Sequence, residues 1–365
     1  MGLPELIFSY RAAAEQVVAR SRQGVAALLL QDAGLTAGVY TVAQEADIPS
    51  ELGADNADYV KRCLVGAATR PRKVYLSVVD AEGTADTALE QLTPLDYDYV
   101  AGFPDADAAD AKALADAVIA KRKGNYIGKA VVANHTADNV GVINFTTSGI
   151  KAAAGTYSGI TLEKKEADAE GYCSRIAGIL TGAPQAGSAT GWALPEVTAV
   201  AAQTDQEANA AIEAGKLILH HDGRKVRVAR AVNSKTTIGE EKTEILKKIK
   251  AIETIDLIHY YAVTTADDEY RGQCANNYDN KCLLIAALRT FLQDLEPDVL
   301  AEGTSGADID LEATRAYLIE EGVDVTDMSD DEIRRSDTGS YVFIALYGYI
   351  LDAMEDFHIG LTLLN

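Results

Sequence analysis

The sequence predicts an α/β and α+β protein, with an alternating α/β domain inserted between an N-terminal strand and a mixed second half. Three observations carry this. Residues 39–146 alternate short apolar runs with segments of helical period, and strand and helix in strict alternation give a parallel sheet covered by helices. From about residue 157 the elements come in mixed order, with Asp222–Gly223 set between two short apolar runs. A chain of 365 residues with 48% apolar content is also long enough for two or three domains with real cores.

Taken in order, Leu6, Phe8 and Tyr10 alternate at the start as one face of a short strand. The apolar run 24–30 follows Arg20 and Arg22 as a signal peptide would. Asp32 comes next, however, and no small-residue cleavage site does, so the run reads as a buried core strand. Strands are expected at 39–42, 73–79, 97–103, 129–134 and 140–146, with helices at 57–68, 84–92 and 106–121 between them. A helix at 167–180 runs into a Gly/Ala/Ser loop, and a short helix follows at 205–214. Strands at 217–221 and 226–231 flank Asp222–Gly223, a pair suited to a tight hairpin turn with positive φ at both residues. Helices are expected at 243–263, 276–294 and 310–321, the last capped by Asp310 and stopped by Gly322. Strands at 340–350 and 357–363 close the chain. In the final one Phe357, Ile359, Leu361 and Leu363 alternate with His358, Gly360 and Thr362, which gives one apolar face.

The residues that could carry chemistry do not assemble into a site. A phosphate loop would start at Gly182 and Gly187, but Ser188 stands where the lysine belongs and Ala189 where the hydroxyl belongs. The G-x-G-x-x-G fingerprint follows none of the expected strands, and no G-x-S-x-G elbow occurs. Among the histidines, His220 and His221 are adjacent in a strand and point to opposite faces, while His135, His259 and His358 are isolated. Cys63, Cys173, Cys274 and Cys282 are scattered without a C-x-x-C pair, so neither a zinc site nor a disulfide framework is indicated, and reduced thiols are expected. Asp267-Asp268-Glu269 lacks the alternation of a calcium loop. No catalytic centre, cofactor or metal is therefore expected.

Charge narrows the partners. A net charge of −22 argues against nucleic acid, whose phosphates require a basic face. No stretch approaches the ~20 apolar residues of a membrane span, and a cytosolic chain is expected. Residues 294–337 hold 15 acids against 3 bases, whereas residues 216–235 hold 6 bases against 1 acid. The basic strand residues Arg224, Lys225, Arg227 and Arg230 could meet an acidic surface, with the chain's own acidic segment the nearest candidate.

Several blocks, in order, resemble contractile phage tail sheath proteins of the short type found in Gram-positive phages, defective prophages and phage-tail-like bacteriocins. They are Gly2-Leu3-Pro4-Glu5 followed by LIFSY, Gly24-VAALLLQD, Gly141-VINFTTSGIK and the segment 174–197 with its AGILTG and LPEV. Further on come Glu213-AGKLILHHDGRKVRVARAVNSKTT, Asn277-YDNKCLLIAAL, Asp310-LEATRAYL and Asp352-AMEDFHI. Residues 35–138 carry the weakest likeness. The resemblance implies an N-terminal arm and first core strand at 1–34, an outward-facing inserted α/β domain at 35–138, and a core sheath domain with a C-terminal arm at 139–365. Its mixed-sheet core would be built from both termini. It implies rings of six stacked around a tail tube, contraction that drives the tube through a cell envelope, and contacts with tube, baseplate and tail terminator proteins. Assembly in the host bacterial cytoplasm would follow, without nucleic-acid or membrane partners. Leu3, Leu6, Phe8 and Tyr10 at one end, and Phe357, Ile359, Leu361 and Leu363 at the other, are expected as strands donated to neighbouring subunits. The alternative from another class is a soluble α/β enzyme that binds a nucleotide or other ligand at its strand ends.

Overall fold

The computed structural model describes residues 24–124, 126–237, 244–358 and 360. Two compact units emerge, one from residues 22–252 joined by the stretch from 353 onward, the other from residues 253–352. The first unit opens with β1 (Val25–Gln31), β2 (Gly38–Val42), α1 (Ala54–Val65), β3 (Lys73–Val79), α2 (Ala85–Gln91), β4 (Tyr99–Ala101), α3 (Ala108–Arg122), β5 (Lys129–Ala133) and β6 (Val142–Phe145). It continues through β7 (Ile150–Ala152), β8 (Gly155–Tyr157), β9 (Ile160–Leu162), β10 (Lys165–Ala167), α4 (Cys173–Gly182), β11 (Val197–Ala199), α5 (Asp205–Glu213), β12 (Lys216–Leu217), β13 (Leu219–His221) and β14 (Val226–Val228). Helix α6 (Ile249–Thr265) leads into the second unit, which holds α7 (Tyr278–Asp294), β15 (Gly306–Ile309), α8 (Leu311–Glu320), α9 (Asp330–Arg335) and β16 (Ile344–Tyr347).

The main sheet has seven strands in the order β12-β6-β5-β4-β1-β3-β2. All neighbours are parallel except the edge strand β2, which runs antiparallel to β3. Strand β1 lies in the middle, and every residue from Val25 to Leu30 is fully buried. Its two faces feed two cores. Ala26, Leu28 and Leu30 pack in one with Tyr59 and Leu64 of α1 and Ile176 and Ile179 of α4. Val25, Ala27 and Leu29 pack in the other with Ala88 and Leu89 of α2 and Leu114 and Val118 of α3. A strand buried on both faces belongs inside a helix-covered parallel sheet, and a continuous apolar run is its signature.

That placement ties segments on both sides of residues 35–138 into one sheet. The alternating α/β layer does not begin after the first strand at residue 34 but is built around it, and it does not end at 138, because β6 and β12 extend the same sheet. Burial on both faces is the physical reason, since β1 would lose both helix layers in any other position. The mixed α/β content and mixed sheet agree with the predicted class.

Helix starts follow the capping residues. Asp107, Thr204 and Ser329 each form a reciprocal capping box, and Asp310 accepts from the Ala313 amide at 2.9 Å as its position predicts. Strands β7 to β11 are three residues each, too short for a period of two to register. In the second unit, Leu284, Ile285 and Leu288 of α7 pack on Ala307 and Ile309 of β15. Tyr261 and Phe291 stack there with ring centroids 3.6 Å apart. The expected strand at 340–350 shrinks to β16, and Phe357 and His358 lie outside any strand. Ile359, Leu361 and Leu363, like Leu3, Leu6, Phe8 and Tyr10, fall outside the described residues.

Candidate assembly surface

In a sheet of this kind a ligand site would form where strand order reverses, at the carboxyl ends of β1 and β4. Here the chain's own side chains fill that place. Asp32, directly after β1, accepts hydrogen bonds from the amides of Gly34 (2.8 Å), Leu35 (3.2 Å) and Gly53 (2.8 Å) and from Asn56 Nδ2 (2.8 Å). Gly53 is the N-cap of α1, so the carboxylate sits where a nucleotide's phosphate would bind a helix N-terminus. Burial pushes the Asp32 carboxyl up, but the four hydrogen bonds outweigh it and hold the group below the usual range. Across the mouth, buried Tyr59 donates its hydroxyl to Gly102 O at 2.8 Å, next to the end of β4. A second anion brought here would meet a negative charge with its donors already used.

The Gly-rich segment 178–187 is a packing device. A Cβ at Gly178 would run into the carbonyl of Cys63, and one at Gly182 into the carbonyl of Thr69, so α4 lies directly against the C-terminal end of α1. Arg175, on the same helix, is 1% exposed and bonds through Nε to Glu196 Oε1 at 2.5 Å and through Nη1 to Gly66 O at 2.6 Å. These contacts join α1, α4 and the segment before β11 into one block. The buried thiols of Cys63 and Cys173 belong to it, and burial pushes Cys63 up to about 12.

The four basic residues separate into two kinds. Asp222 Oδ1 accepts from the amides of Arg224 (2.8 Å) and Lys225 (2.7 Å), and Asp222 Oδ2 pairs with Arg227 Nε at 2.5 Å. The Arg227 guanidinium and these amides hold the Asp222 carboxyl well below its usual range. Only Gly223 takes a positive φ, +86°, so the turn is a four-residue loop closed by the Asp222 side chain rather than a two-residue turn with both residues left-handed. Arg224 and Lys225 are exposed at its tip. Arg227 also donates to Gly191 O at 2.9 Å, and Arg230 pairs with Glu355 and Asp356. Two of the four expected contact residues thus serve the subunit's own structure. Nearby, His221 Nδ1 accepts from the Gly223 amide at 3.1 Å.

The second unit carries several exposed apolar side chains. Leu283, Ile319, Tyr341, Tyr347 and Tyr349 are each between 38% and 61% exposed. Tyr317 stacks obliquely on Tyr341 and Phe343, with centroids 5.2 and 5.5 Å apart. Strands β15 and β16 pair antiparallel through Gly306↔Tyr347 to Ile309↔Ile344, and no third strand joins them among the described residues. This two-stranded sheet carries the exposed Tyr347, and Arg289 of α7 donates to Ala307 O of β15 at 2.7 Å. Sequence reading missed β15 because GADI carries a glycine and an aspartate, poor strand residues.

Residues 54–234 match the central domain of phage tail sheath proteins. A tail sheath protein of Clostridium phage phiCD119 is 33% identical over 365 residues, which is 98% of each chain. The chain belongs to the phage tail sheath family. Solved structures share the sheath fold at lower identity. A sheath tail protein from Listeria innocua superimposes with a TM-score of 0.63 at 14% identity, over 80% of this chain and 90% of that one. The helical sheath of the anti-feeding prophage in its contracted state gives 0.67 at 13% identity, over 99% of each chain.

Proposed function

We propose that this chain polymerises as stacked rings of six around a tail tube, forming a helical sheath whose contraction drives the tube through a cell envelope. The full-length relationship to a tail sheath protein is the observation that carries this reading. The subunit works as a structural and mechanical element without a catalytic centre, and it contacts the tube, baseplate and terminator proteins. It acts within a virion tail or tail-like particle put together in the host bacterial cytoplasm. No described helix is long and apolar enough to cross a membrane.

Subunits connect through their chain ends. The apolar face of Phe357, Ile359, Leu361 and Leu363, and that of Leu6, Phe8 and Tyr10 with Leu3 before it, would add to the β15–β16 sheet of neighbouring copies. Burying four such side chains is worth roughly 6–12 kcal/mol, against about 8–16 kcal/mol for fixing eight residues of backbone. The two nearly cancel, so ladder hydrogen bonds of roughly 0.5–1.5 kcal/mol each decide the outcome. Arg224 and Lys225, preorganised by Asp222, would meet the acidic surface of a second copy.

Negative-stain microscopy of the purified chain tests the reading. Tubes or large rings are expected, and a small closed oligomer would overturn it. Removing 357–365 should abolish tubes and leave a soluble, folded subunit. Sheaths of normal length from the truncated chain would refute strand donation at this end. Millimolar ATP, NAD or FMN should leave the melting temperature unchanged within a few degrees, whereas a larger rise would favour the enzyme alternative.

A further inference from the structure

Residues 353–358, where the chain returns to the first unit, have no regular secondary structure, and Met354 and Phe357 are not embedded. Met354 is 87% exposed and Phe357 70%. Between them the acidic side chains are held. Arg230 Nη2 donates to Asp356 Oδ1 at 2.7 Å, and Arg230 Nη1 lies 3.3 Å from Glu355 Oε2. Lys248 Nζ approaches the same Glu355 oxygen at 3.8 Å. The Glu355 side chain is only 7% exposed although it sits in an irregular segment, so it is the anchor point, whereas Asp356 at 68% is a rim contact. Glu355 and Asp356 are therefore held by ion pairs.

We propose that Arg230 and Lys248 form a basic cleat that docks the acidic pair Glu355–Asp356 of the chain's own C-terminal stretch. Residues through Asp356 stay with their subunit, and the chain from Phe357 onward is free for a second copy. The docking half stands on geometry alone, and the hand-over half rests on the sheath reading. The cleat sets the point of departure. Without it the arm would leave the subunit as early as residue 353, and the longer tether would lower the effective concentration of the donated strand at its acceptor. Because the contact is ionic and partly solvated, salt weakens it.

The test uses full-length, unassembled subunit from a sizing column, digested with chymotrypsin, with cleavage after Phe357 followed by mass spectrometry. Raising salt from about 50 mM to about 500 mM should speed this cleavage several-fold in the wild type. At low salt, Arg230→Gln combined with Lys248→Gln should be cut roughly tenfold faster than wild type and should lose its salt dependence, while Arg230→Lys keeps protection. Salt-independent cleavage of the wild type overturns the proposal, and this arm needs no variant to fold. Cleavage of the double variant at the wild-type rate overturns it too. Salt-dependent protection combined with normal tubes after removal of 357–365 would leave the cleat standing and sink strand donation, so the two failures are distinguishable.

Discussion

Asp32 does the work of a bound ligand, accepting from the amides of Gly34, Leu35 and Gly53 and from Asn56. Asp32→Ala should cost about 1–3 kcal/mol in denaturant unfolding, since it removes hydrogen bonds to a charged acceptor worth roughly 1.5–3 kcal/mol each, while water replaces it at the exposed amides. The sign of its pH dependence follows from its lowered pKa. Its stabilisation is fully present above about pH 4, where the unfolded carboxyl is also ionised, and drains as pH falls through the folded value. The variant should therefore lose less stability than the wild type between pH 5 and pH 2. The buried Arg175–Glu196 pair makes a sharper prediction. Glu196→Ala leaves a guanidinium uncompensated in the core and should cost about 3–5 kcal/mol, whereas Arg175→Met with Glu196→Leu should come close to wild-type stability. Thermal unfolding of both variants checks this. None of it was readable beforehand, because Asp32 counted only as a charge ending an apolar run and Arg175 and Glu196 are 21 residues apart.

At the level of elements, α4 was legible as a helix and its glycines were legible as unusual. Their purpose was not, because close approach of two helix backbones leaves no local signature. Gly178→Ala should destabilise by about 1–3 kcal/mol or more, since the obstructing atom is the backbone carbonyl of Cys63 rather than a movable side chain. Exposed Gly303, where a Cβ meets nothing but φ is +72°, should lose less on the same change, through backbone strain alone. Long periodic helices such as α7 and strands with continuous apolar runs such as β3 were predicted within a few residues. The short strands β7 to β11 were not, because three residues cannot show a period and pairing alone defines them, nor was the six-residue helix α9. The pair β15–β16 belongs to the same class of miss.

For the whole molecule, the class and the alternation were plain in the sequence while the strand order was not. Alternation tells which segments are strands and helices, but strand order is set by which face each one buries. Residues 35–138 should therefore fail to fold alone, as they lack β1 on one side of β4 and β6 on one side of β5. Residues 22–252, which form a compact unit together with the short C-terminal stretch, should give a cooperative thermal transition. Circular dichroism of both fragments decides the point, and a folded 35–138 fragment would restore the boundary expected from the sequence.

The central position of β1 has a mechanical consequence. The chain's first described residue, Gly24, leads straight into a strand paired in parallel with β3 over all seven of its residues and with β4 over three. Tension applied through the residues before it pulls along the strand axis, so the hydrogen bonds on both flanks resist together in shear instead of opening one after another like a zipper. A subunit hauled by its N-terminal end during a sudden shortening would pass the force to the stiffest part of its body. Pulled the same way in an optical trap, it should yield at a markedly higher force than when pulled through β2, an edge strand that can peel from the sheet one bond at a time.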